Sequence, residues 1–438
     1  MNLIVIGMLG IIVLFICFLV KIPISISMII VGYFGYGYVT TFLAANRIVA
    51  SDIFTTFTSY SLSVIPMFVL MGFLAYHAGI GTKVYSFAYK LVGRFPGGLA
   101  MATQVACAIF GAICGSSTAT TATMGSIAIP EMKRYNYSDK LSTGCVAAGG
   151  ALGIMIPPSV ILVLYGIATE QSIAKLFIAG IVPGILLTFL YIAAIFIVTF
   201  HNPALAPAAP GPHPKFKEIV MSLPNSGLIE VIIIFIISLG GLFAGWFTPT
   251  EAGGVGAAGV LLVTLLQKSL NWEKIKKSLS DTTRTSAMIL FLVTGATIFG
   301  RFMAITRIPF ELAGWVEVLP LPPVVVVGVI LLIYLLLGTF IDSLPLMLLT
   351  VPIFYPVAVQ TLGYDPIWFG VMMVVAVTMG CITPPVGINV YVVKGITKDI
   401  PLQVIFQGIW PFLIALIVCG AILIVFPQIA LFLPNYLL

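Results

Sequence analysis

Residues 149–166, GGALGIMIPPSVILVLYG, have the composition of a membrane-spanning helix but carry two adjacent prolines, Pro157 and Pro158, near the middle. Each proline lacks an N–H, and its ring clashes with the preceding turn, so carbonyls near residues 153 and 154 lose their helical partners. Water cannot replace those partners in hydrocarbon. A break is tolerated there only where protein or a water-filled cavity surrounds it. The stretch therefore predicts a transmembrane helix that is broken for a reason.

The composition places the chain in a membrane. Of 438 residues, 60% are hydrophobic and 8% charged, against about 25% charged in an ordinary soluble domain. Apolar runs such as 3–20, 228–247 and 412–426 suit a hydrocarbon layer of roughly 30 Å. They lack the alternating pattern of a β-barrel. The first run has no Lys or Arg before it and no small-residue cleavage site after it, so a retained helix is expected. Cys17, Cys107, Cys114, Cys145, Cys381 and Cys419 lie in apolar segments without CxxC spacing and read as small buried hydrophobes. A net charge of +6 fits basic cytoplasmic loops on a lipid bilayer and calls for no nucleic acid.

The second half holds another broken segment, MGCITPPVGINVYVVKG over 379–395, at an offset of 384 − 157 = 227 residues. The same offset carries Gly153 onto Gly380, Gly111 onto Gly338, Ser116 onto Ser343, Tyr137 onto Tyr364 and Pro96 onto Pro323. Taken singly, the Gly and Ser residues at 111–126 suit a close helix-packing face as well as a functional tip, and Pro-Pro suits a simple kink. Recurrence of both at one offset favours a duplicated functional unit. The expected organisation is a first repeat over 1–210, a cytoplasmic linker over 211–226 that overlaps the Pro-rich seam His201–Lys217, and a second repeat over 227–438.

Positive charges in short loops orient the repeats. Lys83, Lys90 and Arg94 precede the segment at about 97–132, and Lys133, Arg134 and Lys140 follow it, which predicts a re-entrant hairpin with its tip in GAICGSSTATTATMG, 111–125. A broken helix follows at about 141–169. The second copy starts from the other side. Lys268, Lys274, Lys276, Lys277 and Arg284 mark the cytoplasm again, a helix over 286–303 leads to a second hairpin at about 321–360, and a second broken helix at about 367–394 returns to Lys394 and Lys398. Arg301 and Arg307 fall on the outer side, against the charge rule. The amphipathic stretches Gly81–Arg94 and Asn271–Arg284 are expected along the cytoplasmic surface, as lipid anchors or as arms that brace a moving domain; His77, His201 and His213 read as incidental. The fold class is thus an all-α polytopic membrane protein of two inverted five-helix repeats, each with a re-entrant helical hairpin and a broken transmembrane helix.

Inverted repeats with paired broken helices are the pattern of secondary transporters that bind near the bilayer midplane. Unwound carbonyls facing a Gly-rich tip form a cage of neutral oxygens for a cation such as Na+, and half-helix N-termini suit an anion. Ser116, Ser117, Thr118 and Ser343 lie at those N-termini, with Asp342 beside them and Pro157, Pro384 and Pro385 at the breaks; all are taken as candidate substrate contacts. A carboxylate in the membrane costs about 2.5–3.5 kcal/mol and marks function by default, a helix cap being the alternative. No His, Cys or Glu cluster has catalytic or metal spacing, and no continuous polar pore is visible, so a non-enzyme carrier is expected.

The motifs GSSTATTATMGSIAIPEM (115–132), GALGIMIPPSVILVLYG (150–166) and GCITPPVG (380–387), in this order, resemble the large membrane subunit of the tripartite ATP-independent periplasmic (TRAP) transporters, the DctM-like family. The resemblance covers essentially the whole chain. It implies the elevator fold of the ion-transporter superfamily and symport with Na+ across a bacterial inner membrane, with a small organic anion, carboxylate or sulfonate, as substrate. It also implies two partners, a small four-helix membrane subunit (Q type), here expected to be unfused, and a periplasmic substrate-binding protein (P type). Carried over by residue, a first Na+ site falls on Gly111, Gly153, Ile156 and Pro158, and a second on Gly338 or Thr339, Gly380, Thr383 and Val386. A stand-alone Na+-coupled anion carrier that needs no binding protein is the alternative.

Overall fold

Each double proline divides a helix in two. Asp139–Met155 and Val160–Ala168 flank the first, at a bend of 41°. Pro366–Ile382 and Ile388–Ile396 flank the second, and both Pro-Pro bonds are cis. The computed structural model describes residues 2–207 and 228–437, without the side chains of residues 228, 230 and 231. The linker expected over 211–226, with His213, lies outside them. All regular structure among the described residues is helical.

The first halves of the two broken helices form the centre of the molecule: every residue from Leu141 to Met155 and from Ile367 to Ile382 is buried. Gly and Ala dominate the first of these, which lets neighbouring backbones approach closely where lipid offers no hydrophobic drive for helix association. Outside lie Leu, Ile and Phe. Leu19 is 83% exposed, and Met8, Ile12 and Ile16 on the same helix are also exposed, a distribution that only an apolar surrounding stabilises. Among the described residues, five helices have the length and composition to cross a membrane, or up to seven if each bent pair is one span.

Two hairpins approach this centre. Gly98–Cys114 turns at Gly115, whose φ of +62° favours glycine, into Ser117–Arg134. Pro323–Gly338 turns into Ser343–Tyr355, which widens to π geometry over Pro356–Thr361. The ends of the first hairpin meet, since the Leu99 N–H donates to Tyr137 Oη at 3.3 Å. The antiparallel relation of the copies is visible in their bonds. Tyr165, near the end of the first broken helix, donates its hydroxyl to the Pro366 carbonyl at the start of the second (2.6 Å). At the other, basic end, Lys133, just before the first broken helix, donates to Asp399, just after the second (2.6 Å). That contact holds the Asp399 carboxyl below its ordinary value.

Of the amphipathic stretches, Ile80–Val92 buries one face, Ile80, Val84, Tyr85 and Ala88, against the first hairpin and leaves Ser86 and Lys90 exposed. Asn271–Arg284 is not a separate helix, because Trp272–Ile305 runs unbroken for 34 residues, about 51 Å. Its counterparts at the 227 offset are Phe42–Thr58 and Val64–His77, which meet at 54° after a 3-10 turn. Proline explains the difference. Pro66 would clash with Leu62 and leave its carbonyl unpaired in a continuous helix, whereas its counterpart is Val293.

Each of these arms is pinned to the other repeat. Asp52 on Phe42–Thr58 receives two bonds from Arg301, Nε to Oδ2 at 2.6 Å and Nη2 to Oδ1 at 2.7 Å. Asp281 on the second arm lies 2.9 Å from His77 Nε2. The offset carries Asp52 to 279 and His77 to 304, so the braces are related by the duplication to within three residues. Arg301, which ran against the charge rule, is therefore half of a neutralised pair, and His77 is half of its counterpart.

Two expectations follow. A cysteine at Asn136 and one at Gln360, both exposed at the hairpin ends of the two copies, should react with an impermeant maleimide from opposite faces of the membrane; labelling from the same face contradicts the inversion. Asp52→Ala should lower stability by about 1–3 kcal/mol, between a broken buried pair and an exposed one. Lys133→Ala, whose pair with Asp399 is exposed, should leave the thermal midpoint unchanged.

Candidate functional site

Within each copy the hairpin meets the broken helix at a pair of glycines. A Cβ on Gly111 would stand 2.8 Å from Gly153 Cα, and one on Gly380 would stand 2.6 Å from Gly338 Cα. Main chain faces main chain in both, which only glycine permits. The tips then reach the breaks. A Cβ on Gly115 would lie 2.6 Å from the Pro158 carbonyl oxygen, and in the second copy the Gly387 N–H donates to the Thr339 carbonyl at 3.2 Å.

The tips of both hairpins converge on one cavity of about 420 Å³. Ser116, Ser117 and Thr118 come from the first, Asp342 and Ser343 from the second, and the walls continue through Phe73 and Tyr76, Thr285 and Met288, and Asn389 and Val392. These last segments run to His77, from Asp281 and to Lys394, so the cavity lies toward the basic end. Tyr76 and Met288 are exposed at its mouth.

The tips are capped differently. Ser116 Oγ accepts from the Ala119 N–H (3.4 Å). Asp342 Oδ1 accepts from the N–H (2.7 Å) and hydroxyl (3.0 Å) of Ser343. Asp342 thus caps its helix and lines the cavity at once, and it is the charged residue among the described walls. Two N-terminal helix ends with their partial positive charge face the space.

Most of the sequence-derived residues meet here. Gly111, Gly153 and Pro158 gather at the first contact; Gly338, Thr339, Gly380 and Thr383 gather at the second, with Val386 beside Gly387. The prolines do not line the cavity. Pro157 is buried toward Gly180, whose added Cβ would lie 3.5 Å from its Cδ, and the Ile156 side chain faces Gly184. Pro384 and Pro385 are exposed. The two breaks therefore occupy unlike settings, one enclosed and one open.

Asn389 went unnoticed in the sequence. It is fully buried, accepts from Ser117 Oγ at 2.8 Å and donates to the Ala147 carbonyl at 3.0 Å, the amide orientation being the one that satisfies both bonds. It ties the first tip to the second broken helix. Its signal was a lone amide in the apolar run GINVYVV; the offset hid it, since its counterpart is Leu162.

Two inverted, interlocked copies whose re-entrant tips, each set against a helix break, meet at one cavity define a multi-pass membrane transport protein. The chain belongs to the family of tripartite ATP-independent periplasmic transporters, DctM component, which it matches over residues 11–429. It is 38% identical to the C4-dicarboxylate TRAP transporter large permease protein DctM of Pseudomonas aeruginosa, over 89% of this chain and 90% of that one. It is 36% identical to the sialic acid TRAP transporter large permease protein SiaM of Vibrio cholerae, over 87% of each. It is 33% identical to the isethionate TRAP transporter permease protein DctMQ of Oleidesulfovibrio alaskensis, over 86% of this chain but 59% of that longer protein. The Alcanivorax borkumensis YdaH transporter, described as having an unusual topology, shares the fold at a TM-score of 0.60 and 15% identity, over 87% of this chain and 88% of that one. The chain is a large permease component of this family.

The glycine contacts give a measurable contrast. Gly153→Ala and Gly380→Ala should each destabilise by about 1–3 kcal/mol through overpacking. Gly254→Ala, at a helical glycine with open space around it, should be neutral or stabilising. Thermal unfolding of the purified variants checks the order.

Proposed function

We propose that the chain imports a small organic anion, carboxylate or sulfonate, in symport with Na+ across a bacterial inner membrane, the hairpins and broken helices moving as an elevator against the braced arms. The observation that carries this reading is the convergence of both tips, each seated against a helix break, on one cavity. The cation sites fit the residues present. Next to Gly153, the Ser116 carbonyl lies 2.7 Å from an added Cβ, and the Pro158 carbonyl faces Gly115. In the second copy the Thr339 and Thr383 carbonyls flank Gly387, Thr339 as its bond acceptor and Thr383 at 3.2 Å from an added Cβ. Such main-chain oxygens suit a hard monovalent cation, with Gly111, Ile156 and Pro158 around the first site and Gly338, Gly380 and Val386 around the second.

The cations supply positive charge at the tips; the rest falls to the protein. Ser116, Ser117, Thr118 and Ser343 offer hydroxyls and helix N-termini to the anion, Asn389 holds Ser117 in place, and Phe73 and Tyr76 close the mouth. A membrane potential contributes about 2.3 kcal/mol per elementary charge per 100 mV, so two Na+ with one monoanion are driven inward. The names of the three relatives given above specify acids: C4-dicarboxylates, sialic acid and isethionate. Partners are a four-helix Q-type subunit and a P-type periplasmic binding protein. The extra length of the DctMQ relative fits a fused partner in that protein.

Reconstitution in liposomes tests this. Uptake of the acid bound by the cognate binding protein should require that protein, the small subunit and an inward Na+ gradient, and should fall at least tenfold when K+ replaces Na+. Uptake without the soluble partner would favour a stand-alone carrier, and gradient-independent uptake would refute Na+ coupling.

A further inference from the structure

The first cation cradle holds an oxygen that no bond accounts for. Thr120 lies one turn into the second leg of the first hairpin, is fully buried, and its Oγ1 has no hydrogen-bond partner among the described residues. A helical threonine commonly donates to the carbonyl four residues back. Its neighbours do: Thr121 donates to the Ser117 carbonyl at 2.9 Å and Thr123 to the Ala119 carbonyl at 2.7 Å. Thr120 leaves the Ser116 carbonyl to its own backbone N–H (3.1 Å) and turns its hydroxyl toward Gly153. A Cβ on Gly153 would stand 2.5 Å from Thr120 Oγ1 and 2.7 Å from the Ser116 carbonyl oxygen, so the two oxygens converge on the space that the missing side chain leaves. The Cys114 thiol adjoins Thr120, a soft sulfur beside the hydroxyl.

A buried hydroxyl without a partner is costly, and here it points at carbonyl oxygen rather than at an apolar wall. The hydroxyl proton makes no bond to the Ser116 carbonyl, and with that proton turned away the Oγ1 lone pairs and the carbonyl oxygen both face the same point, an arrangement that suits a cation. We propose that Thr120 is a side-chain ligand of the first Na+ site, binding through an Oγ1 lone pair and keeping its proton, beside the main-chain oxygens of Ser116 and Pro158. The inference rests on the Na+-coupled reading above. The duplication sharpens it: the residue at the 227 offset is Met347, so the second site has no equivalent hydroxyl and the two sites differ in ligand set. Gly153 is required on both counts, since a methyl group there would fill the cradle.

The test reads Na+ binding rather than transport. The thermal unfolding midpoint of the purified full chain is followed as Na+ replaces choline at constant ionic strength, bound cation raising it by mass action. Thr120→Val should raise the half-saturating Na+ concentration at least tenfold. Thr120→Ser, which keeps the hydroxyl, should stay within threefold of the unmodified chain, and Thr123→Val, whose hydroxyl is used locally, should not move it. If the valine variant is not recovered folded, Thr120→Cys replaces a hard oxygen by a soft sulfur and should shift the titration likewise. An unchanged titration in either variant overturns the assignment of Thr120 and leaves Na+ coupling standing. No Na+-specific stabilisation of the unmodified chain overturns the coupling, and the assignment with it.

Discussion

A peptide group stripped of its helical partner inside hydrocarbon must find another within the protein, and this constraint organises the molecule. Two prolines in each copy remove helical bonds at mid-membrane. The consequence is that something polar and closely fitting must reach each break, and in both copies it is the tip of a re-entrant hairpin. The glycine pairs Gly111–Gly153 and Gly338–Gly380 set how near the tip can come. With the tips fixed against the breaks, their helix N-termini necessarily face inward, and the cavity between them is a result of the same fit.

The duplication provides the scaffold as well as the site. Asp52–Arg301 and His77–Asp281 join the arm of each copy to a helix of the other, so the copies interlock rather than merely adjoin. The bends differ because one proline, Pro66, is present in one copy and absent in the other. Val160–Ala168 likewise packs on the second hairpin and Ile388–Ile396 on the first. Each half of the chain completes its neighbour's environment, which makes independent folding of either half physically unfavourable.

The offset of 227 made the duplicated hairpins and breaks legible, because identical spacing of Gly, Ser and Pro in an apolar chain has few other causes, and the Lys and Arg of the short loops gave their inversion. It was blind where the copies diverge. Asn389, Thr120 and Asp342 have Leu162, Met347 and Gly115 as counterparts, so a search for symmetry passes over the polar atoms that make the two tips chemically different. The arms were misjudged for another reason: amphipathicity reports a polar face, but whether the helix beyond it continues depends on a single proline three residues into the next segment. The Asp52–Arg301 pair lies 249 residues apart. Without it, Arg301 looked like a misplaced topological signal.

The charge content of the cavity bears on the proposed coupling. Among the described residues its wall carries the Asp342 carboxylate and no Lys, Arg or His. At an effective dielectric of about 20, two unit charges about 6 Å apart repel by about 3 kcal/mol, so an organic anion entering this space meets an unfavourable field that hydroxyls only partly relieve. Helix N-termini offset some of it, yet the second of them already spends its positive end on Asp342 itself. Under the proposed Na+ coupling, cations held by the main-chain oxygens of Ser116 and Pro158 in the first copy and of Thr339 and Thr383 in the second would supply the positive charge that the wall lacks. In that reading cation and anion would each favour the other's binding, and coupling would follow from leaving fixed cations out of the wall.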